Sequence, residues 1–223
     1  MIVVACYNNP EVIDNFMSSL NDSELIDEQI LLVCTDSSQT QMIKHLSQLK
    51  NDNLLIDVTP YKGYDTGAFI WAYKNYKSDY YIFLQESLIV NKKNWYSIFK
   101  SHRKKNVLSS WCTFDLFWDN QQQKDVILSK IENNQFNLEG KPVGVFGNMF
   151  QIDYESLKKI DDRYNLNRFI PNDKVLGSCA MERGWSYLAK NCGIEINNID
   201  GYYSNRECDY TNKLFLKKFH NRF

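Results

Sequence analysis

YKGYDTGAFIWAYKNYKSDYYIFLQESLIV, residues 61–90, decides how the rest of the chain is read. It opens on a glycine turn, Lys62-Gly63-Tyr64-Asp65-Thr66-Gly67, and runs into a helical pattern with Phe69, Ile70, Trp71 and Tyr73. The apolar run Tyr80-Tyr81-Ile82-Phe83-Leu84 then predicts a strand, which stops in three polar residues, Gln85-Glu86-Ser87. In an open α/β sheet, ligands bind beyond the carboxyl ends of the strands. A polar trio at such an end, following a glycine loop and a helix, marks residues 85–87 as a place where function collects.

Upstream, the same unit recurs. Ile2-Val3-Val4-Ala5-Cys6 is a continuous apolar run, as expected of a strand buried on both faces of a parallel sheet. Tyr7-Asn8-Asn9-Pro10 closes it, and Pro10 suits a first helical turn. Val12, Ile13, Phe16, Met17 and Leu20 follow at helical spacing. A second strand is predicted over Gln29 to Cys34, ending in Thr35-Asp36-Ser37-Ser38. A helix over Gln41 to Leu49 and a third strand over Leu54 to Val58 lead back to the opening stretch. This β-α alternation predicts an α/β fold with a mainly parallel sheet flanked by helices.

Downstream the rhythm loosens. A helix is predicted over Asn94 to Ser101, a strand over Val107 to Thr113, a strand over Pro142 to Ile152 and a helix over Tyr154 to Ile160. Pro171-Asn172-Asp173 is a helix-start signal for a helix reaching about Lys190, weakened by Gly177 and Gly184. Glu195 to Ile199 reads as the last strand, before a basic tail from Asn212 that carries His220.

With 223 residues, the chain is long enough for one domain with a real core. A net charge of −1, with 26 basic and 27 acidic residues, argues against a nucleic-acid binder that works through a basic surface. The run His102-Arg103-Lys104-Lys105 reads as a solvated helix end. Six cysteines without C-x-x-C spacing point to reduced thiols and a cytoplasmic setting. No signal peptide is expected, and nothing approaches the roughly 20 apolar residues of a membrane span. A phosphate-binding G-x-x-x-x-G-K-[ST] loop is also missing. Oligomeric state has no signature here.

The strand ends carry a resemblance. Val4-Ala5-Cys6-Tyr7-Asn8 matches the V-x-x-Y-N with which the large, mostly inverting family two of GT-A-fold glycosyltransferases opens. Thr35-Asp36-Ser37-Ser38 keeps the second acid and the serine of its D-D-G-S. Gly63-Tyr64-Asp65-Thr66-Gly67 resembles the G-x-D-x-G of rhamnosyltransferase-like members. Gln85-Glu86-Ser87 stands where the family has D-x-D, as a degenerate version. The resemblance covers residues 1–90, and more weakly Gly147-Asn148-Met149-Phe150 and Met181-Glu182-Arg183. It implies a single GT-A (Rossmann-like) domain, with residues 1–90 as a nucleotide-sugar-binding half and 91–223 as an acceptor and catalytic-base half.

That resemblance implies a hexosyltransferase-type enzyme moving a sugar from a nucleotide-sugar donor, UDP-linked, to a saccharide or glycan acceptor with inversion. Tyr7, Asn8, Asp36, Gly63 and Asp65 would hold the nucleoside, with Asp36 on the uracil ring and Asp65 on base or ribose. Gln85, Glu86, Ser87 and Arg183 would meet the donor diphosphate. Glu86 and Ser87 would ligate a divalent cation (Mn or Mg), weakly bound or dispensable, because two carboxylates of the motif are replaced by neutral oxygens. Glu182 is the candidate general base and Asp173 the second candidate. Each has a plainer reading: Asp36 as a turn residue, Asp65 as a helix cap, and Glu182 with Arg183 as a surface pair. Trp111, Phe114, Phe117 and Trp118 suggest either an acceptor platform or core packing, and Gly147 with Asn148 an acceptor-side wall. The alternative to an enzyme is a catalytically degenerate GT-A-like nucleotide- or glycan-binding module.

Overall fold

A computed structural model describes residues 1–7, 9–35, 40–49, 52–62, 64–115, 121–130, 143–172, 179–201 and 213–217. The first half follows the predicted alternation. Strands β1 (Ile2–Cys6), β2 (Ile30–Thr35), β3 (Leu54–Thr59) and β4 (Tyr80–Gln85) alternate with helices α1 (Pro10–Asn21), α2 (Thr40–Leu46) and α3 (Tyr64–Asn75). Asn9 caps α1 by accepting the Glu11 backbone N–H at 3.1 Å, and Pro10 fills the first helical turn.

The main sheet has seven strands in the order β10-β6-β9-β4-β1-β2-β3, where β6 is Val107–Ser110, β9 Phe150–Asp153 and β10 Glu195–Asn198. Every neighbouring pair is parallel except β9, which runs against both β4 and β6. This is the mainly parallel, helix-flanked sheet that the sequence predicts. Alternate side chains of each strand feed two cores. Ile2, Val4 and Cys6 pack under α1, α2 and α4 (Trp95–Ser101). Val3 and Ala5 pack under α3, α5 (Gln121–Leu128), α6 (Tyr154–Tyr164) and α7 (Cys179–Asn191).

The second half departs from expectation in four places. The strand predicted over 107–113 breaks after Ser110: Trp111 turns into the core against Phe146 and Phe215, and the chain resumes as β7 (Thr113–Asp115). The strand predicted over 142–152 is two strands, β8 (Val143–Val145) and β9, separated by a short 3-10 turn at Phe146–Asn148. Gly147 (φ 62°) and Asn148 (φ 55°) are both left-handed there, which no continuous strand accommodates. The helix predicted from Pro171 is described only from Cys179, and Pro171 and Asn172 are not helical. Inside it, Gly184 marks a close approach of α5, since a Cβ would stand 3.0 Å from Ile127 Cδ1.

Glu195–Asn198 is also not the last strand. β11 (Phe215–Lys217) pairs antiparallel with β5 (Leu88–Val90), which directly follows the polar trio of β4. Phe215 is fully buried against Trp95 and Trp111. His220 lies outside the described residues. At the opposite edge of the sheet, Arg103 is not a solvated helix end. Its guanidinium pairs with Glu28 at 2.5 Å and lies over the Tyr80 ring, lining a polar cavity of about 450 Å³.

Candidate functional site

Parallel neighbours put their carboxyl ends on one edge. The β1–β2 register pairs Cys6 with Cys34, and the β1–β4 register pairs Ala5 with Gln85. Tyr7 therefore emerges level with Thr35, and Glu86 one position back level with Cys6, so the strand ends share one edge as a ligand site of this fold class requires. The Glu86 backbone N–H donates to the Ala5 carbonyl at 3.3 Å, which holds the tip of β4 against β1. The Glu86 carboxylate is felt next door: burial first, then Glu86 and Cys34, push the Cys6 thiol well above its ordinary range.

The amino end of α3 meets the same edge. Tyr64, a non-glycine residue at φ 50°, sets its ring 5.2 Å from that of Tyr7. The next residue, Asp65, is buried and is no simple helix cap. Its Oδ1 accepts the Thr66 backbone N–H at 2.7 Å. Its Oδ2 accepts Nε2 of Gln85 and, at 3.1 Å, Nδ2 of Asn148. Antiparallel register explains the last contact: Phe83 faces Phe150, so the turn before β9 arrives beside the tip of β4.

The turn is held from behind by α7. Oε1 of Glu182, in the first turn of that helix, accepts the Gly147 backbone N–H at 3.0 Å. Arg183 is buried and donates from Nη1 to the Cys179 carbonyl at 2.9 Å. That nitrogen stands 4.0 Å from Glu182 Oε2, a long ion pair rather than the exposed surface pair of the plainer reading.

Four elements thus contribute two rows of side chains. The polar row is Asp65 (α3), Gln85 (β4), Asn148 (the turn before β9) and Glu182 (α7). Beneath it runs an aromatic row from the same elements. Phe69 stacks on Phe83 at 4.6 Å, Phe83 meets Phe150 edge-on at 5.1 Å, and Phe150 meets Trp185 at 5.1 Å. The spacings are those that keep two residues on one face: four along α3, two along β4, three along α7.

Asp65, Gln85, Glu86 and Ser87 are each between 4% and 8% exposed. Gln85 Oε1 and Ser87 Oγ are buried without a hydrogen-bond partner among the described residues. Buried polar atoms are nearly always satisfied in proteins. Two orphans at one strand tip therefore point to a polar ligand. The tip also tests the expected cation. Glu86 and Ser87 offer hard oxygens, which suit Mg²⁺ or Mn²⁺. Among the described residues no group of three or more His, Cys, Asp or Glu is arranged to hold a metal ion.

Tyr7, Asp65, Gln85, Glu86, Ser87, Glu182 and Arg183 are thus placed, while Asn8, Asp36, Gly63 and Asp173 lie outside the described residues. The sequence leaves Trp111 open between platform and core, and the structure places it in the core. Trp111 is not a sugar platform: it is 1% exposed, and its indole N–H donates to Asp200 at 2.9 Å. Phe117 and Trp118, and the side chain of Phe114, lie outside what is described. Asn148, read as an acceptor-side wall, also reaches 83 positions back to Asp65. Its left-handed turn is signalled in sequence only by the Gly147-Asn148 pair.

No protein-family model and no curated protein matches the sequence. Among solved structures, the fold is similar to the mannosyltransferase PcManGT from Pyrobaculum calidifontis in complex with GDP-Man and Mn²⁺. That likeness has 10% identity and a TM-score of 0.48, covering 75% of this chain and 50% of the other. It is also similar to S. aureus TarS 1–349, at 13% identity and TM-score 0.46, covering 91% of this chain and 58% of the other. The chain spans between half and three fifths of the length of these structures.

Proposed function

We propose that this chain is a glycosyltransferase that moves a hexose from a UDP-linked donor to a hydroxyl of a saccharide acceptor, with inversion. The observation that carries this is the convergence, on one edge of a parallel sheet, of the Tyr7–Tyr64 ring pair, the Asp65–Gln85–Asn148 cluster and the Glu182 turn. Residues 1–90 form the donor half, and 91–223 supply the acceptor side and the base. Five cysteines present as thiols among the described residues support a cytoplasmic setting.

In this reading Tyr7, Asn8, Asp36, Gly63 and Asp65 surround the nucleoside. Gln85, Glu86, Ser87 and Arg183 face the diphosphate. Glu86 and Ser87 would be the chain's own ligands for a weakly held divalent cation, which would supply charge neutralisation at the diphosphate. Glu182, with Asp173 as the second candidate, removes the acceptor hydroxyl proton. The acceptor oxygen bonds to the anomeric carbon as the bond to the diphosphate oxygen breaks on the opposite face. The nucleoside diphosphate leaves with that electron pair. Glu182 is suited to this because one oxygen is anchored on Gly147, which fixes the carboxylate, and its side chain keeps 22% exposure.

Release of nucleoside diphosphate from UDP-, GDP- and dTDP-linked sugars, with a saccharide acceptor panel and with or without Mn²⁺, tests the proposal. Release from a UDP-sugar is expected. Glu86→Ala is expected to weaken Mn²⁺ stimulation by roughly 10-fold while leaving metal-free turnover in place, since hard cations favour charged ligands. Loss of all turnover in Glu86→Ala, with and without metal, would contradict this cation assignment. One observation favours the binding-module reading: the Gln85 nitrogen is committed to Asp65, in a trio whose one carboxylate is Glu86. Donor binding with no release across the whole panel would select it.

A further inference from the structure

We propose that Asn148 is a positioning residue for the donor: it crosses from the second half of the chain to hold Asp65, and so sets affinity for the nucleoside end. This rests on the donor-binding reading above.

The argument starts from cost. Asn148 is completely buried, and burying an amide is unfavourable unless it is hydrogen-bonded. At φ 55° the backbone favours glycine or asparagine, and glycine would meet that need without burying an amide. Instead Asn148 Nδ2 stands 3.1 Å from Asp65 Oδ2, the oxygen that also accepts Gln85 Nε2. Two amides, one from the tip of β4 and one from the turn before β9, therefore present nitrogens to one carboxylate oxygen, and the carboxylate cannot swing without breaking both. Such a network has fewer acceptable geometries than an apolar contact of the same size.

The backbone is arranged to deliver that amide. Two successive left-handed residues, Gly147 and Asn148, are needed to turn the chain into β9. Asparagine tolerates this conformation better than most side chains. Glu182 stabilises the turn through the Gly147 N–H, and the aromatic row fixes Phe150 two residues on. The donor pocket is thereby shaped by α7, an element that the sequence assigns to the other half.

Asn148→Asp separates side-chain chemistry from backbone shape. Aspartate is nearly isosteric and also tolerates a positive φ, but it sets a carboxylate against Asp65 where an amide donor stood. Two carboxylates in contact ionise together only at a penalty, so one holds a proton as pH falls. A protonated carboxyl at position 148 regains a donor. The experiment is calorimetric titration of wild type, Asn148→Asp and Asn148→Gly with UDP and GDP at pH 8 and pH 5. With the tighter of the two nucleotides, Asn148→Asp is expected to bind about 10–100-fold more weakly than wild type at pH 8, and within about threefold at pH 5. Asn148→Gly, which keeps the backbone and loses the amide, is expected to bind roughly 10-fold more weakly at both.

Wild-type-like binding of either variant at pH 8, or an equal loss for Asn148→Asp at both pH values, overturns the positioning role. If Asn148→Asp does not fold, the glycine variant decides alone. If wild type binds neither nucleotide, the donor reading itself fails and this inference falls with it.

Discussion

Replacing Glu182 with glutamine is expected to lower kcat by about 10²–10⁴-fold, the range over which a positioned general base contributes, with nucleoside diphosphate affinity unchanged. Glutamine keeps an acceptor oxygen for the Gly147 N–H, so the turn and the Asn148–Asp65 contact stay in place. It loses the basic oxygen pair that an acceptor proton needs. Single-turnover kinetics with saturating UDP-sugar isolates the chemical step, and calorimetry with UDP checks that the donor site survives. A variant with full kcat would remove Glu182 from the mechanism and pass the role to Asp173. Glu182→Ala is a less clean probe because it also frees the Gly147 amide. Its defect is expected to include weaker donor binding.

The second large effect falls on stability. Phe83 is 1% exposed and stands in the middle of the aromatic row, against Phe69 on one side, Phe150 on the other and Tyr81 at 5.7 Å. Phe83→Ala leaves a cavity that three elements on different parts of the chain cannot all close. The expected cost is about 3–5 kcal/mol. For a domain of this size that lowers Tm by about 6–20 °C. Thermal melting followed by circular dichroism measures it. Because Gln85 lies two residues on along the same face of β4, UDP affinity should fall at temperatures where the variant is still folded. A shift below about 2 °C would mean that the row is not a core, and a large shift with unchanged UDP affinity would uncouple it from the polar row above.

The first half of the fold is legible in the sequence because β1, β2 and β4 are almost wholly buried and appear as long apolar runs, as in Ile2–Cys6, while only the edge strand β3 is half-buried and interrupted by Asp57. Alternation with helices then leaves little choice of topology. The second half is harder for a physical reason. Val143–Val145 and Phe150–Asp153 are short, and the residues between them, Phe146-Gly147-Asn148-Met149, pass for a strand interior. Only their dihedral angles reveal a turn. The tail from Asn212 looks basic, while the strand that carries the buried Phe215 spans just three residues.

The site divides in the same way. Asp65, Gln85 and Glu182 stand out because polar residues at strand tips and helix starts are conspicuous against apolar neighbours. That the first two touch follows from α3 folding back on β4, and no local pattern encodes it. Asn148 reads as an acceptor-side residue because sequence distance from Asp65 conceals the antiparallel register that brings them together. Trp111 is ambiguous in sequence between platform and core, and its bond to Asp200 settles it as core.

The reversed direction of β9 makes this architecture sensitive to a particular kind of accident. Every other strand of the main sheet reaches the ligand edge as it finishes, so a lost residue downstream is absorbed in a loop. β9 reaches that edge as it begins, between a tight turn and a register fixed on both sides by β4 and β6. Deleting Met149 would reverse the parity of the residues after it or drag Asn148 a full position along the sheet. Either outcome would separate the amide from its carboxylate while the composition of the chain scarcely changed, so length between residues 147 and 150 is as strict a requirement as the identity of Asn148.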